Sequence, residues 1–222
     1  MGSSLMPDNS TARSRILASI RMSLGAPSTD KAIAAEYGTI ARNYMRSSTP
    51  DVHALLDLFT DRLLEYDAGV YRTSRENIAA IVAEILVLRT KHRMAIPAGL
   101  PEAWLPEGFN FAVADGWSNM QLDKIDGTLS ACTVAIAETG TIVLQNSIGQ
   151  GPRNLSLVPD YFLCVVFVEQ VVATVPEAFD RIEATSTLPT TFISGPSATA
   201  DIEMTRIKGV HGPRFLDVII VA

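Results

Sequence analysis

The amino-acid sequence predicts an α/β fold, a mainly parallel sheet with helices on both faces, and three observations carry that prediction. Helical and extended apolar patterns alternate from Asp51 onward, as βαβ units require. The extended runs FLCVVFV at 162–168 and LDVIIV at 216–221 are nearly continuous in apolar residues, which is how a strand buried on both faces reads. With 222 residues, 47% of them hydrophobic, the chain has apolar side chain for one large core and nothing in its middle that resembles a linker.

Residues 1–10 are small, polar and patternless and are set aside. Over 11–24, Ile16, Leu17, Ile20 and Leu24 recur at helical spacing, with Ser10 or Thr11 able to cap the start and Gly25 placed to end it, so an amphipathic helix is expected. From 26 to 50 the periodicity is weak, and a long connection with at most a short helical turn around 31–44 follows. The chain therefore reads as a flexible N-terminal segment, 1–50, with one amphipathic helix, and an α/β domain, 51–222.

Asp51 opens a helix in which Val52, Leu55, Leu56, Phe59 and Leu63 form one stripe, and 70–72 is a short strand. Ser74 starts the next helix, with Ile78, Ile81, Val82, Ile85 and Leu86 facing inward, before strands at 93–96 and 111–114. The apolar runs 129–137 and 141–144 are separated only by Glu138, Thr139 and Gly140, which leaves no room for a helix. An antiparallel hairpin is expected there, making the sheet mixed. An irregular loop, NSIGQGPRNLSLVPD at 146–160, leads to the strand at 162–168. Pro176 suits the first turn of a helix over 176–182, and strands at 190–194 and 216–221 complete the domain.

Eighteen basic against 24 acidic residues give a net charge of -6, which disfavours nucleic acid as a partner. No segment reaches the ~18 apolar residues of a membrane span, and the N-terminus lacks a secretory pattern, so a cytoplasmic setting is expected. Cys132 and Cys164 each sit in an apolar run and read as core residues. Neither has a CxxC partner, so no metal and no cofactor is expected in this chain, and any redox centre belongs to a partner protein.

Two stretches rich in glycine and proline, 138–160 and 193–213, can carry chemistry. In the first, Gly149, Gly151, Pro152 and Pro159 constrain a loop that presents Arg153. The guanidinium fork either holds a carboxylate or phosphate, or pairs with Asp160 or Glu138 and ties the loop down. Glu138 leaves an apolar run, an expensive position for a carboxylate unless it is paired or used on a ligand. In the second stretch, Ser194, Gly195, Pro196 and Ser197 follow a strand and lead to a helix start near Thr199. Backbone N–H groups and the hydroxyls of Ser197 and Thr199 would converge there on an anion, unless the turn is only a structural cap. Asp201 and Glu203 put negative charge in that first turn and work against an anion. His211, flanked by Gly209, Gly212 and Pro213, is the best acid/base candidate of the three histidines, with a hydrogen-bonded structural role as the alternative.

The segments AETGTIVL (137–144), GQGPRNLSLVPD (149–160), VEQVVATVPEA (168–178) and SGPSATADIEMTRIKGVHGPR (194–214) resemble the lactate-utilization protein C family, the LUD domain proteins. The resemblance implies a three-layer α/β fold similar to the phosphosugar isomerase and CoA transferase fold. It also implies a cluster-free subunit of a bacterial L-lactate utilization system, oxidising lactate to pyruvate beside partners that carry the iron-sulfur clusters. Such a subunit would bind a small carboxylate or phosphate, or partner subunits. The alternative is a stand-alone enzyme similar to CoA transferases or sugar-phosphate isomerases, using Glu138 as nucleophile or base. The matched positions give Glu138 and His211 as catalytic candidates and Thr139, Gly140, Arg153, Ser194, Gly195, Ser197, Thr199, Asp201, Glu203 and Gly212 as ligand-binding candidates.

Overall fold

The computed structural model describes residues 9–24, 29–200, 206–209 and 211–222. The chain forms two compact units, Met1–Tyr44 and Met45–Ala222. The first holds the expected helix, α1 (Asn9–Leu24), and a second, α2 (Asp30–Thr39). The sequence pattern allowed at most a short turn here; instead there are ten helical residues. A cap explains them: the Thr29 side chain accepts from the Ala32 N–H at 3.2 Å, and Asp30 places negative charge in the first turn. Gly25 lies outside the described residues.

The second unit opens with α3 (Val52–Glu65), capped by Asp51 Oδ2, which accepts from the His53 and Ala54 N–H groups. Strand β1 (Gly69–Thr73), α4 (Ile78–Leu88), β2 (Arg93–Ile96), β3 (Asn110–Val113) and the short α5 (Asn119–Leu122) follow. Then come β4 (Gly127–Ala131), β5 (Val134–Ile136), β6 (Thr141–Gln145), α6 (Arg153–Leu157), β7 (Tyr161–Phe167) and β8 (Val171–Val172). Helix α7 (Val175–Ile182), β9 (Thr190–Ile193), the pair β10 (Ala198–Ala200) and β11 (Arg206–Lys208), and β12 (Phe215–Val221) complete it. Pro176 sits in the first turn of α7, where a missing N–H costs nothing.

Among the described residues the large sheet has six strands in the order β1-β12-β7-β4-β2-β3, every pair parallel. The expected hairpin exists, β5 against β6, but it belongs to a second sheet of order β8-β5-β6-β9. The run 129–137 is therefore not one strand. It crosses from the large sheet to the small one at Cys132 and Thr133.

Alternation along β7 and β12 builds the layers. Phe162, Cys164, Val166, Leu216, Val218 and Ile220 face α3 and the small sheet, where Phe59 and Leu63 are fully buried. Tyr161, Leu163, Val165, Ile219 and Val221 face α4 through Ile78, Val82, Ile85 and Leu86. The outer face of the small sheet is covered in turn by Ala178 and Ile182 of α7. Each fully buried aliphatic or aromatic side chain contributes about 2 kcal/mol. Both cysteines are buried in the α3 layer, as their apolar surroundings require.

Among the described residues one charged side chain lies fully inside the core. Asp217 of β12 has no exposed side-chain surface, and it accepts from Arg89 Nε (2.7 Å), Arg89 Nη2 (2.5 Å) and the Tyr161 hydroxyl (2.9 Å). A buried carboxylate is tolerable only when its lone pairs are met in this way. Gly69 is its register partner on β1, and a Cβ there would overlap the carboxylate. Burial pushes the Tyr161 phenol up, and the hydrogen bond with Asp217 raises Arg89.

Candidate functional site

In open α/β sheets the usual ligand position is the crevice at the carboxyl ends of the strands where onward connections diverge. Here that point lies between β2, which leads to β3 on one side, and β4, which leads to β7 on the other. The first glycine-rich loop occupies it. Gly149 N donates to Ala98 O and Ala131 N donates to Gly149 O, both at 2.9 Å. Buried Gln150 turns inward, its Oε1 accepting from Gln145 N (2.8 Å) and Thr133 Oγ1 (2.9 Å). Gly151, at φ 68°, passes so close to Leu155 and Pro97 that a Cβ would not fit. What looked irregular from 146 to 160 is thus a braced loop that also contains α6.

The turns at 138–141 and 194–197 are drawn together at the carboxyl end of α3. Gly140 (φ 59°) lies against the Arg62 backbone and Cβ, and Gly195 (φ 90°) against Tyr66, each too close for a side chain. A hydroxyl chain stitches the turns: Thr139 Oγ1 to Thr141 Oγ1 and Thr141 Oγ1 to Ser194 Oγ, both 2.7 Å.

Beside this junction, at the amino ends of β7 and β12, lies a cavity of about 260 Å³ floored by Phe162 and Leu216. Arg153, Ser194, Gly195, Ser197, His211 and Gly212 all wall it. Ser197 organises the rim. Its N–H donates to Pro213 O (2.8 Å), its Oγ accepts from His211 N (3.1 Å), and its carbonyl accepts from Gly209 N (3.0 Å). Two expectations are corrected here. The chain after Ser197 does not begin a helix but enters β10, where Thr199 pairs with Ile207 of β11, so no helix dipole points at the turn. The Ser197 N–H is already committed, which removes it from any backbone anion cradle. Asp201 and Glu203 lie outside the described residues.

Arg153 begins α6 and donates from Nη1 to Thr191 Oγ1 at 2.9 Å. The two acids that could have tied it down are engaged elsewhere. Asp160 receives Arg214 Nε and Nη2 at 2.6 and 2.8 Å, and those bonds hold its carboxyl below the usual aspartate range. Glu138 Oε1 accepts from the Val175 N–H at 2.8 Å, at the start of α7. Among the described residues the exposed Arg153 guanidinium therefore meets one hydroxyl and no carboxylate.

Glu138 and Thr139 line a neighbouring cleft of about 630 Å³ together with Arg62, Thr141, Phe179 and Phe192. Ser194 and Phe192 belong to the walls of both spaces. Gly140 lines neither; its part is the close approach to Arg62. Arg62, Tyr66, Phe179, Phe192 and Thr191 are the site residues the sequence reading missed. The two phenylalanines carried a signal in retrospect, since each is a large apolar residue at a position its element leaves outside the core. Among the described residues no three His, Cys, Asp or Glu side chains gather as a metal site needs. No helix there is long and apolar enough to cross a membrane.

A family model described as the LUD domain matches residues 103–221. The lactate utilization protein C of Deinococcus radiodurans is 42% identical over 170 residues, covering 75% of this chain and 79% of that protein. The lactate utilization protein C of Oceanobacillus iheyensis is 23% identical over 228 residues, covering 94% and 97%. A crystal structure of a DUF162 family protein from Deinococcus radiodurans superposes with a TM-score of 0.69 at 37% identity, over 78% of this chain and all of that one. With the domain match spanning more than half of the sequence, and the same α/β architecture in a solved relative, the chain belongs to the LUD domain family.

Proposed function

We propose that this protein serves lactate utilization as a cluster-free cytoplasmic subunit, and that the cavity beneath Arg153 receives a small carboxylate such as lactate or pyruvate. The setting is supported by relatives that carry the name lactate utilization protein C. One observation carries the ligand: an exposed guanidinium without a carboxylate partner among the described residues, standing over a small cavity whose wall offers the Ser194 and Ser197 hydroxyls and His211. Arg153 supplies the fork that a carboxylate fits, and the hydroxyls and imidazole can hydrogen-bond a 2-hydroxy or 2-oxo group. Oxidation of lactate also needs an electron acceptor. Two buried cysteines cannot hold a cluster, so the iron-sulfur centres are assigned to partner proteins.

Purified alone, the chain is expected to show no lactate-dependent reduction of an artificial electron acceptor. Saturating lactate or pyruvate should raise its melting temperature, since a ligand that binds only the folded state stabilises it. Arg153→Ala should abolish that shift. No shift with lactate, pyruvate or inorganic phosphate, or a shift that survives Arg153→Ala, would overturn the anion site. The alternative, a transferase or isomerase acting through Glu138, draws support from the place of Glu138 in the larger cleft. Against it stands the Val175 N–H that already occupies one carboxylate oxygen. Glu138→Gln with intact lactate growth would end that alternative.

A further inference from the structure

The larger cleft offers the Arg153 cavity an apolar extension, a pair of exposed aromatic rings. Phe179 of α7 and Phe192 of β9 lie with ring centroids 5.7 Å apart and planes inclined by 30°. They keep 53% and 44% of their surface exposed, whereas Phe59 and Phe162 are sealed in the core at 0% and 1%. Two adjoining phenyl rings left half in water beside a cleft mark a place for an apolar ligand group, because such surface gains by being covered. Ile136 and Val175 continue the apolar lining. Along its edge the Thr139, Thr141 and Ser194 hydroxyls form a chain of two 2.7 Å bonds, which leaves one O–H proton of the three for a ligand.

This aromatic shelf adjoins the anion cavity, since Phe192 and Ser194 line both. We infer that the two spaces form one site whose preferred ligand is an organic monocarboxylate with a flat apolar group: the carboxylate on Arg153, the apolar group across Phe192 and against Phe179. The inference rests on the anion reading of the Arg153 cavity. It follows the usual design of small-molecule sites, mostly apolar with a few convergent polar groups, and aromatic rings favour offset or edge-to-face partners. Arg62 in the cleft wall is paired with Glu65 at 2.7 Å, which leaves Glu138 to select against a second negative charge at that end.

The test is calorimetric titration of the full chain with L-lactate and with 3-phenyllactate, which differ by one phenyl ring. Phenyllactate is expected to bind about tenfold or more tightly, as covering a phenyl group should give. Phe179→Ala should bring the ratio near one, and Arg153→Ala should remove binding of both acids. Phe179→Leu, which keeps an apolar contact with Phe192, guards against a loosened α7: selectivity should fall while the melting temperature holds. Equal affinities in the wild type, with lactate binding dependent on Arg153, would overturn the aromatic subsite and leave the anion site standing. So would a preference that survives Phe179→Ala, or a melting-temperature loss with the preference unchanged. If neither acid binds, the anion reading falls and this inference with it.

Discussion

Residues 146–152 and the described residues 194–200 and 211–213 are both rich in glycine, proline and small side chains, yet they place their polar groups differently. The first turns them inward: Gly149 bridges the ends of β2 and β4, and Gln150 is spent on Gln145 and Thr133. The second folds around Ser197 into the rim of a cavity and leaves Ser194, Ser197 and His211 on its wall. Glycine density therefore reports constraint, and both stretches are constrained. What separates a brace from a binding wall is where the polar side chains lie, on the loop's own neighbours in the first and along a cavity in the second.

Four substitutions test that contrast, the most destabilising first. Gly151→Ala puts a Cβ onto Leu155 and Pro97 at a positive φ and should cost about 3 kcal/mol in denaturant unfolding. A cost under about 0.5 kcal/mol would show that the loop is not braced. Gln150→Ala strands the Gln145 N–H and the Thr133 hydroxyl and should cost about 2 kcal/mol without touching ligand binding. Altered lactate affinity in this variant would erase the distinction between the two stretches.

Asp160→Asn loosens the ion pair with Arg214, which ties the residue before β7 to the residue before β12. Both side chains are partly solvated, so the loss should be smaller than at Gln150. Because Arg214 lowers the folded-state pKa of Asp160, the pair stabilises fully above the unfolded value of about 3.9 and fades as pH falls through the lowered one. The difference between wild type and Asp160→Asn should be flat from neutral pH to about pH 5 and vanish in acid; a difference that grows on acidification contradicts the assignment. Arg153→Ala should leave stability within about 0.5 kcal/mol while removing the carboxylate response, the signature of a residue kept for a ligand. A large stability loss would place Arg153 among the braces.

Local signals were legible wherever one residue type does one local job. Asp51 as a cap, Pro176 in a first turn, the strand at Arg93–Ile96 and the twofold-buried strands β7 and β12 all follow from neighbours in sequence. Helix α2 escaped because a cap, not apolar spacing, defines it. The division of 129–137 between two sheets was invisible, since alternation says that a strand is buried but not which partner buries it. Thr199 was placed at a helix start because the small-residue turn allows one; pairing with β11 decides otherwise. In the site, Arg153, Ser197 and His211 were readable as polar groups in constrained loops. Arg62 and Tyr66 were not, because their part comes from where the end of α3 happens to arrive.

The sealed carboxylate of Asp217 gives the last strand a single seat. Slid by one residue, β12 would swing that group to the face covered by α3, away from Arg89 and the Tyr161 hydroxyl, and every neighbouring apolar side chain would reverse with it. Because β12 runs between β1 and β7, one misplaced charge would spoil two ladders at once. The ion pair thus works as an indexing pin: it rejects near-miss alignments of the sheet, and in doing so it fixes where Leu216 meets the cavity floor.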